Sequence, residues 1–117
     1  MPAANKSLVD PSGWKLDYLE SLSTERKRDQ QLQIFWDYQN NIALYPAFHE
    51  YFRRSQVPLL AVWGRGDPCF VAPGAEAFKA DLPHAEMHLL DGGHFLLETH
   101  VEEVAELARN FLTRIQW

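Results

Sequence analysis

The sequence predicts an α/β fold in which two parallel strands are flanked by helices, with a helical segment before them. Two observations predict the strands: residues 59–63 form an apolar run that ends at a glycine, and residues 86–90 form a second strand segment that is closed by Asp-Gly-Gly. A continuous apolar run such as the first is typical of parallel strands that are buried on both faces. The third observation is a long amphipathic segment at the C-terminal end. A chain of 117 residues holds one domain at most.

The first part, residues 1–56, is predicted to be helical and rich in aromatic residues. After a loose start around Pro11, a helix is expected over residues 23–40, which have a charged first turn followed by apolar residues at helical spacing. Pro46 suits the first turn of a further helix, because its missing N–H costs nothing there. We therefore expect amphipathic helices that pack on a core.

The second part, residues 57–117, alternates strand and helix. A short helix is expected from Pro73 to about Ala80, between the two strands, and Thr99 and Glu102 have the spacing of a capping box for the last helix. Such an order gives a right-handed parallel crossover. Because two strands cannot make a doubly covered sheet, this part should be the edge of a larger one. The apolar stripe of the last helix is predicted to be Val101, Val104, Ala105, Ala108, Phe111, Leu112 and Ile115.

Charge and composition exclude several function classes. The chain has 11 basic and 16 acidic residues, a net charge of −5, and the acidic excess lies in residues 57–117, which argues against a nucleic-acid partner. Its single cysteine, Cys69, excludes an internal disulfide and fits a reducing compartment. No signal-peptide stretch and no membrane-spanning run of about 18 apolar residues is present. We therefore predict a cytoplasmic protein without a membrane partner.

Two polar residues stand just beyond the carboxyl ends of the predicted strands. Asp67 follows the first strand and His94 follows the second, and glycines precede both. Ligands bind at this edge of open α/β sheets, and adjacent parallel strands would bring the two loops side by side. A carboxylate bound to one imidazole nitrogen leaves the other free to act as a general base. We expect Asp67 and His94 to form such a hydrogen-bonded pair.

Other reactive side chains give weaker patterns. A metal site built from His84, His88 and His94 has no recognised ligand spacing, so we predict neither a bound metal nor a cofactor. Cys69 lies two residues after Asp67, but the sequence places no base to activate it. It is interpreted as a small apolar filler.

The motifs around this pair resemble those of a known family. Residues 63–68 read Trp-Gly-Arg-Gly-Asp-Pro and residues 93–95 read Gly-His-Phe. They resemble the C-terminal portion of the α/β-hydrolase superfamily, in particular the branch with haloalkane dehalogenases, epoxide hydrolases and related esterases. The resemblance implies that Asp67 is the acid and His94 the histidine of a catalytic triad. Their separation of 27 residues is typical of that family.

The resemblance also implies a partial α/β-hydrolase fold. Residues 37–46 are similar to the return from the family's helical cap to its main domain. Residues 1–56 would then be a cap remnant with the return helices, and residues 57–117 would be the C-terminal βαβα unit of the core. Three aromatic residues could line a substrate pocket, although core packing explains them equally well: Phe95, Trp36 and Tyr45.

The sequence lacks the family's nucleophile. None of its six glycines brackets a Ser or an Asp in the G-x-S-x-G spacing of the nucleophile elbow, and the loop that forms the oxyanion hole is missing too. Two functions remain open. The chain is part of a hydrolase of small-molecule esters, halides or epoxides whose nucleophile comes from elsewhere, or it is an inactive fragment or pseudo-enzyme that serves association. In either case the chain is expected to self-associate, to pair with a complementary hydrolase chain or to behave as a loosely packed state, because the strand at residues 59–63 is apolar on both faces.

Overall fold

A computed structural model describes residues 9–115, so the part of the predicted cap remnant at residues 1–8 lies outside the described residues. Helices and two strands follow one another in the order expected for an α/β chain with a helical start. The elements are α1 (Pro11–Ser21), α2 (Glu25–Asp37), α3 (Gln39–Ser55), β1 (Leu60–Gly64), α4 (Ala72–Glu76), α5 (Phe78–Asp81), β2 (Glu86–Leu90), α6 (Leu96–Thr99) and α7 (Val101–Ile115).

The chain divides into two compact units, which are described separately. The helical unit covers residues 10–51, and the sheet unit contains the residues from Phe52 onward. In the helical unit, α1 begins where a loose segment was expected, so that expectation is wrong. The Asp10 carboxylate accepts a hydrogen bond from the Ser12 N–H at 2.7 Å, and Pro11 occupies the first turn, where it is tolerated.

The expected position of Pro46 is also wrong. It lies inside α3 rather than in a first turn, because α3 already begins at Gln39. The break falls at Tyr38, and across it the Asn40 side-chain amide donates to the Asp37 carboxylate at 2.7 Å. The Asn40 side chain is thus satisfied by a neighbouring residue, and α3 tolerates the one backbone hydrogen bond that proline removes.

The two strands of the sheet unit are parallel, as predicted. Leu60 faces Glu86 and Gly64 faces Leu90, so the strands are in register and end together. The connection between them passes through α4 and α5, where one short helix was expected, with the break at Ala77. This arrangement is the partial α/β fold that the sequence predicted, and it brings the loops after both strands to one edge of the sheet.

The core of the sheet unit is small. Its buried apolar residues are Ala61, Ala75, Leu82, Ala85 and Leu96. Asp81 is buried as well, and its carboxylate accepts a hydrogen bond from the Arg53 guanidinium at 2.6 Å. Within residues 9–115, no large side chain is completely buried.

The start of α7 differs from the prediction. Thr99 ends α6, and its hydroxyl lies 2.7 Å from His100 Nδ1 and within reach of the Leu96 carbonyl, so the expected capping box does not form. The predicted stripe is largely turned inward, but Val101 and Leu112 at its margins are exposed. Leu107, which was not included in the stripe, is half-buried.

Candidate active site

Backbone hydrogen bonds hold together the loops that follow β1 and β2. After β1 the chain turns tightly, and the Asp67 N–H donates to the Gly64 carbonyl at 3.1 Å. The Gly66 N–H donates across to the Gly92 carbonyl in the second loop at 2.9 Å. The bond between Gly66 and Gly92 extends the pairing of the strands beyond their ends, so the position of one loop determines that of the other.

Gly64 permits the close approach of the two loops. A Cβ atom at this position would lie 2.8 Å from the Gly92 carbonyl oxygen and would also meet the carbonyl oxygen of Gly93. Backbone oxygens cannot rotate away as a flexible side chain can, so any side chain would push the loops apart. The glycine therefore places the loop of Asp67 against the loop of His94.

The structure brings Asp67 and His94 together, as expected from the parallel crossover. The His94 Nδ1–H donates to the Asp67 carboxylate, at 3.1 Å to Oδ2 and 3.2 Å to Oδ1. The Asp67 side chain is 7% exposed, whereas that of His94 is 38% exposed. This arrangement fixes one imidazole nitrogen on a buried carboxylate and leaves the rest of the ring accessible.

The loop keeps the Asp67 carboxylate ionised. Burial raises the pKa of Asp67, but hydrogen bonds from the backbone N–H groups of Phe70 and Cys69 and from His94 outweigh it, and the pKa lies below its usual value. The two backbone bonds reach Oδ1 at 3.0 Å and 2.8 Å. A charged carboxylate in this position can stabilise an imidazolium that forms during proton transfer.

Aromatic side chains surround the histidine. The ring centroid of Phe70 lies 5.4 Å from that of His94, and the ring of Phe95 stands edge-on at 5.3 Å. Phe70 is held in turn by Trp63, whose indole N–H donates to the Phe70 carbonyl at 2.7 Å. The last part of β1 therefore positions both the acid and one wall around the histidine.

An open cavity of about 530 Å³ lies beside this pair. Its lining is mainly apolar and includes Val62, Leu97 and Val104 in addition to the aromatic residues, while Asp67 and His94 are among its few polar groups. A mostly apolar cleft with a small number of polar groups at one point is typical of small-molecule sites.

The three predicted pocket residues lie in different units. Phe95 lines the cavity, next to His94. Trp36 on α2 and Tyr45 on α3 belong to the helical unit, where Trp36 is 76% exposed and the Tyr45 hydroxyl lies 2.8 Å from that of Tyr38. Their contribution to a substrate pocket remains a prediction.

Sequence reasoning missed the role of three residues near the site. Trp63 and Gly64 were treated only as part of a family motif, although an indole donor and a glycine at a strand end are visible signals. Cys69 was interpreted as an apolar filler, which is wrong because it is exposed. The turn that bonds its N–H to Asp67 leaves its sulfur within 4.8 Å of donor atoms of Asp67 and His94.

His84 and His88, the other two ligands of the metal site considered from the sequence, are not grouped with His94 in the described part of the chain. His88 lies on β2, and its Nε2 is 2.8 Å from Glu86 Oε1. In the part of the chain from residue 9 to residue 115, neither His84 nor His88 joins a group of three metal-ligating side chains.

Comparison with known proteins identifies the family to which this chain belongs. The model of the α/β hydrolase fold family matches residues 3–101, and the chain belongs to that family. It is similar to the uncharacterized hydrolase YNR064C of Saccharomyces cerevisiae, with 45% identity over 98 residues. The match covers 84% of this chain but 33% of the yeast protein, so the chain spans about a third of that relative's length. No solved structure matches this chain.

Among residues 9–115, no helix is both long enough and apolar enough to cross a bilayer.

Proposed function

We propose that Asp67 and His94 are the acid and the general base of a hydrolytic triad, in a hydrolase of the branch that includes haloalkane dehalogenases and epoxide hydrolases. The observation that carries this proposal is the hydrogen bond from His94 Nδ1 to a buried, ionised Asp67. In the same proposal, residues 1–56 are a cap remnant with its return helices, and residues 57–117 form the C-terminal unit of the core. The protein is cytoplasmic in this proposal.

The chemistry follows from the two nitrogens of His94. With Nδ1–H bound to Asp67, Nε2 is the nitrogen that accepts a proton. It takes that proton from a serine hydroxyl as it attacks, or from the water that hydrolyses an ester intermediate formed on an aspartate. The Asp67 carboxylate stabilises the resulting imidazolium, which then returns the proton to the leaving group.

The nucleophile and the oxyanion hole are proposed to come from hydrolase sequence that is not among these 117 residues. Two features support this part: the chain has no nucleophile elbow, and it corresponds to only a third of the yeast relative's length. The substrate is proposed to be a small ester, halide or epoxide, and the apolar lining of the cavity fits the carbon skeleton of such a molecule.

A chimera with the yeast relative tests the proposal. In the yeast hydrolase, the segment that matches this chain is replaced by the matching residues of this chain. The hydrolysis of aryl esters, haloalkanes and epoxides by the chimera is then measured. We expect turnover in the chimera, a loss of about 10²-fold or more in His94→Ala, and a smaller loss in Asp67→Asn. His84→Ala, which removes an exposed histidine outside the site, is the matched control and should leave the rate unchanged.

The outcomes separate the two functions that the sequence left open. Turnover that does not depend on His94 would contradict the triad assignment. A folded chimera that is inactive, beside a parent hydrolase that is active on the same substrates, would favour the inactive association module.

A further inference from the structure

Three different metal-ligating side chains meet at the ends of the two strands. A carboxylate oxygen of Asp67, the sulfur of Cys69 and an imidazole nitrogen of His94 all lie within 4.8 Å of one another. Two of these residues have been placed in the proposed triad, but the thiol has no part in that chemistry. With a third donor beside the His–Asp pair, the side chains present three ligand atoms to a metal ion.

The distances between the donor atoms are close to those of a tetrahedral zinc site. His94 Nδ1 and Asp67 Oδ2 are 3.1 Å apart. Two such atoms bound to Zn²⁺ at about 2.0–2.1 Å would be separated by about 3.3 Å, and a thiolate bound at about 2.3 Å would lie about 3.5 Å from either. The distance between His94 Nδ1 and Asp67 Oδ2 therefore needs almost no change for both atoms to bind one zinc ion. The exposed Cys69 side chain has to move its sulfur by little more than about 1 Å, which rotation about one bond can provide.

The two oxygens of Asp67 are held differently. Both lie within hydrogen-bond reach of His94 Nδ1, but the backbone N–H groups of Cys69 and Phe70 bind Oδ1 and not Oδ2. Oδ1 can therefore keep the carboxylate in place while Oδ2 binds a metal, in the way that outer hydrogen bonds orient metal ligands. One carboxylate and one thiolate balance the two positive charges of a divalent ion.

We propose that Asp67, Cys69 and His94 form a three-ligand site for a thiophilic divalent cation of the Zn²⁺ class. Thiolate and imidazole favour such ions over Mg²⁺ or Ca²⁺, and three protein ligands leave a fourth position for water. Binding releases the thiol proton to solvent and moves the imidazole proton from Nδ1 to Nε2. The metal then binds His94 Nδ1 and Asp67 Oδ2, the two atoms that the hydrogen bond of the proposed triad joins. If the proposed triad is correct, the metal is therefore an inhibitor and not a cofactor.

Titration of the purified chain with Co²⁺ under reducing conditions tests the site. We expect one Co²⁺ per chain, with a sulfur-to-cobalt charge-transfer band that Zn²⁺ abolishes by displacement. Cys69→Ser should remove the band, and His94→Ala and Asp67→Asn should each weaken binding by at least about tenfold, the usual effect of losing a good ligand interaction. His84→Ala and His88→Ala are matched controls that should bind as the wild type does.

Several results would overturn the proposal. One is the absence of a charge-transfer band at millimolar Co²⁺; another is a band that persists unchanged in His94→Ala. Circular dichroism spectra of each variant show whether a loss of binding reflects a loss of folding, and Cys69→Ser, which changes one exposed atom, guards against that ambiguity. Because this experiment measures binding and not turnover, it can succeed or fail independently of the proposed hydrolase activity.

Discussion

At the scale of single residues, the acid loop shows how a buried carboxylate is kept charged. Asp67 is almost completely buried, yet hydrogen bonds from two backbone N–H groups and His94 more than offset the cost of burial. Hydrogen bonds to a charged carboxylate are each worth about 1.5–3 kcal/mol, more than those between neutral groups. The site is therefore organised around the charge of one side chain.

The lowered pKa of Asp67 predicts how stability depends on pH. A group whose pKa falls on folding stabilises the protein above its unfolded pKa, about 3.9, and this contribution is lost as the pH falls through the folded value. We expect Asp67→Asn to be less stable than the wild type at pH 7 and the difference to shrink below about pH 4. Thermal unfolding of both proteins over this range measures it. A difference that stays constant down to the lowest pH would contradict the role given to the charge.

Gly64 gives a second prediction at this scale. Gly64→Ala should lower the free energy of unfolding by about 1–3 kcal/mol, because its Cβ would meet two backbone oxygens in the opposite loop. Gly74→Ala is the matched control: nothing lies within 4 Å of a Cβ there, and alanine at this exposed position of α4 should be neutral or stabilising by up to about 1 kcal/mol. Urea unfolding measures the free energy of unfolding of both variants. Equal changes in the two variants would contradict the explanation that the Cβ of residue 64 meets the opposite loop.

Among the elements, the C-terminal end of α3 is tied to α5 by an ion pair. The Arg53 guanidinium donates to the Asp81 carboxylate at 2.6 Å, and the Asp81 side chain is 8% exposed. The Gln56 side-chain amide adds a bond of 3.0 Å to the Asp81 carbonyl. Since a buried carboxylate is costly without its hydrogen bonds, this contact stabilises the sheet unit, to which all three residues belong.

Removing the arginine should therefore destabilise the sheet unit. We expect Arg53→Ala to reduce the free energy of unfolding by about 1–3 kcal/mol, because the buried carboxylate loses a charged donor. Arg54→Ala removes the same charge from the next residue, which is exposed, and should cost less than about 0.5 kcal/mol. Urea unfolding measures the loss of stability in both variants. Similar losses would show that the destabilisation comes from removing a positive charge at the end of α3, and not from the bond to Asp81.

At the scale of the whole molecule, the chain exposes many large apolar side chains. Those exposed by more than half include Phe35, Trp36, Phe70 and Leu97. Fully burying one such side chain is worth roughly 1.5–3 kcal/mol, and proteins that expose large apolar areas usually cover them with a partner. Within the described residues, β1 pairs with β2 on one edge and has no strand on the other.

We predict that the chain self-associates or binds a complementary hydrolase segment. In sedimentation velocity at micromolar concentration the wild type should sediment faster than a monomer. Phe35→Asp should shift it toward the monomer, and Gln33→Asp, which adds the same charge at a polar exposed position of α2, should not. A compact monomer with a sharp thermal transition would refute the prediction.

Activity of the chain by itself is a separate prediction. Without a nucleophile, the His94–Asp67 pair can act only as a weak general base. We expect hydrolysis of aryl esters, haloalkanes and epoxides by the 117-residue chain to stay at the background of an exposed histidine. Turnover above that background that His94→Ala abolishes would reveal a nucleophile that the sequence analysis did not identify.

The sequence by itself determined the parallel strands and the meeting of Asp67 with His94. Both follow from features that are local or topological: an apolar run at the first strand, a segment closed by Asp-Gly-Gly at the second, and a parallel crossover that places the loops after both strands at one edge. The strand at residues 86–90 agrees with the structure at both ends, and the first strand is displaced by one residue.

Only the tertiary structure decided how closely the loops meet, whereas the starts of two helices depended on local hydrogen bonds that the sequence did not reveal. Thr99 has the sequence of a cap, but its hydroxyl lies near His100 Nδ1 and the Leu96 carbonyl, and the Asn40 amide donates to Asp37 at the start of α3, which begins before Pro46. In each case a competing hydrogen bond outweighs a local preference that is worth only about 1 kcal/mol. The tertiary structure also decided that Cys69 is exposed and that its sulfur lies beside the His–Asp pair, because a single cysteine has no sequence pattern that indicates its surroundings.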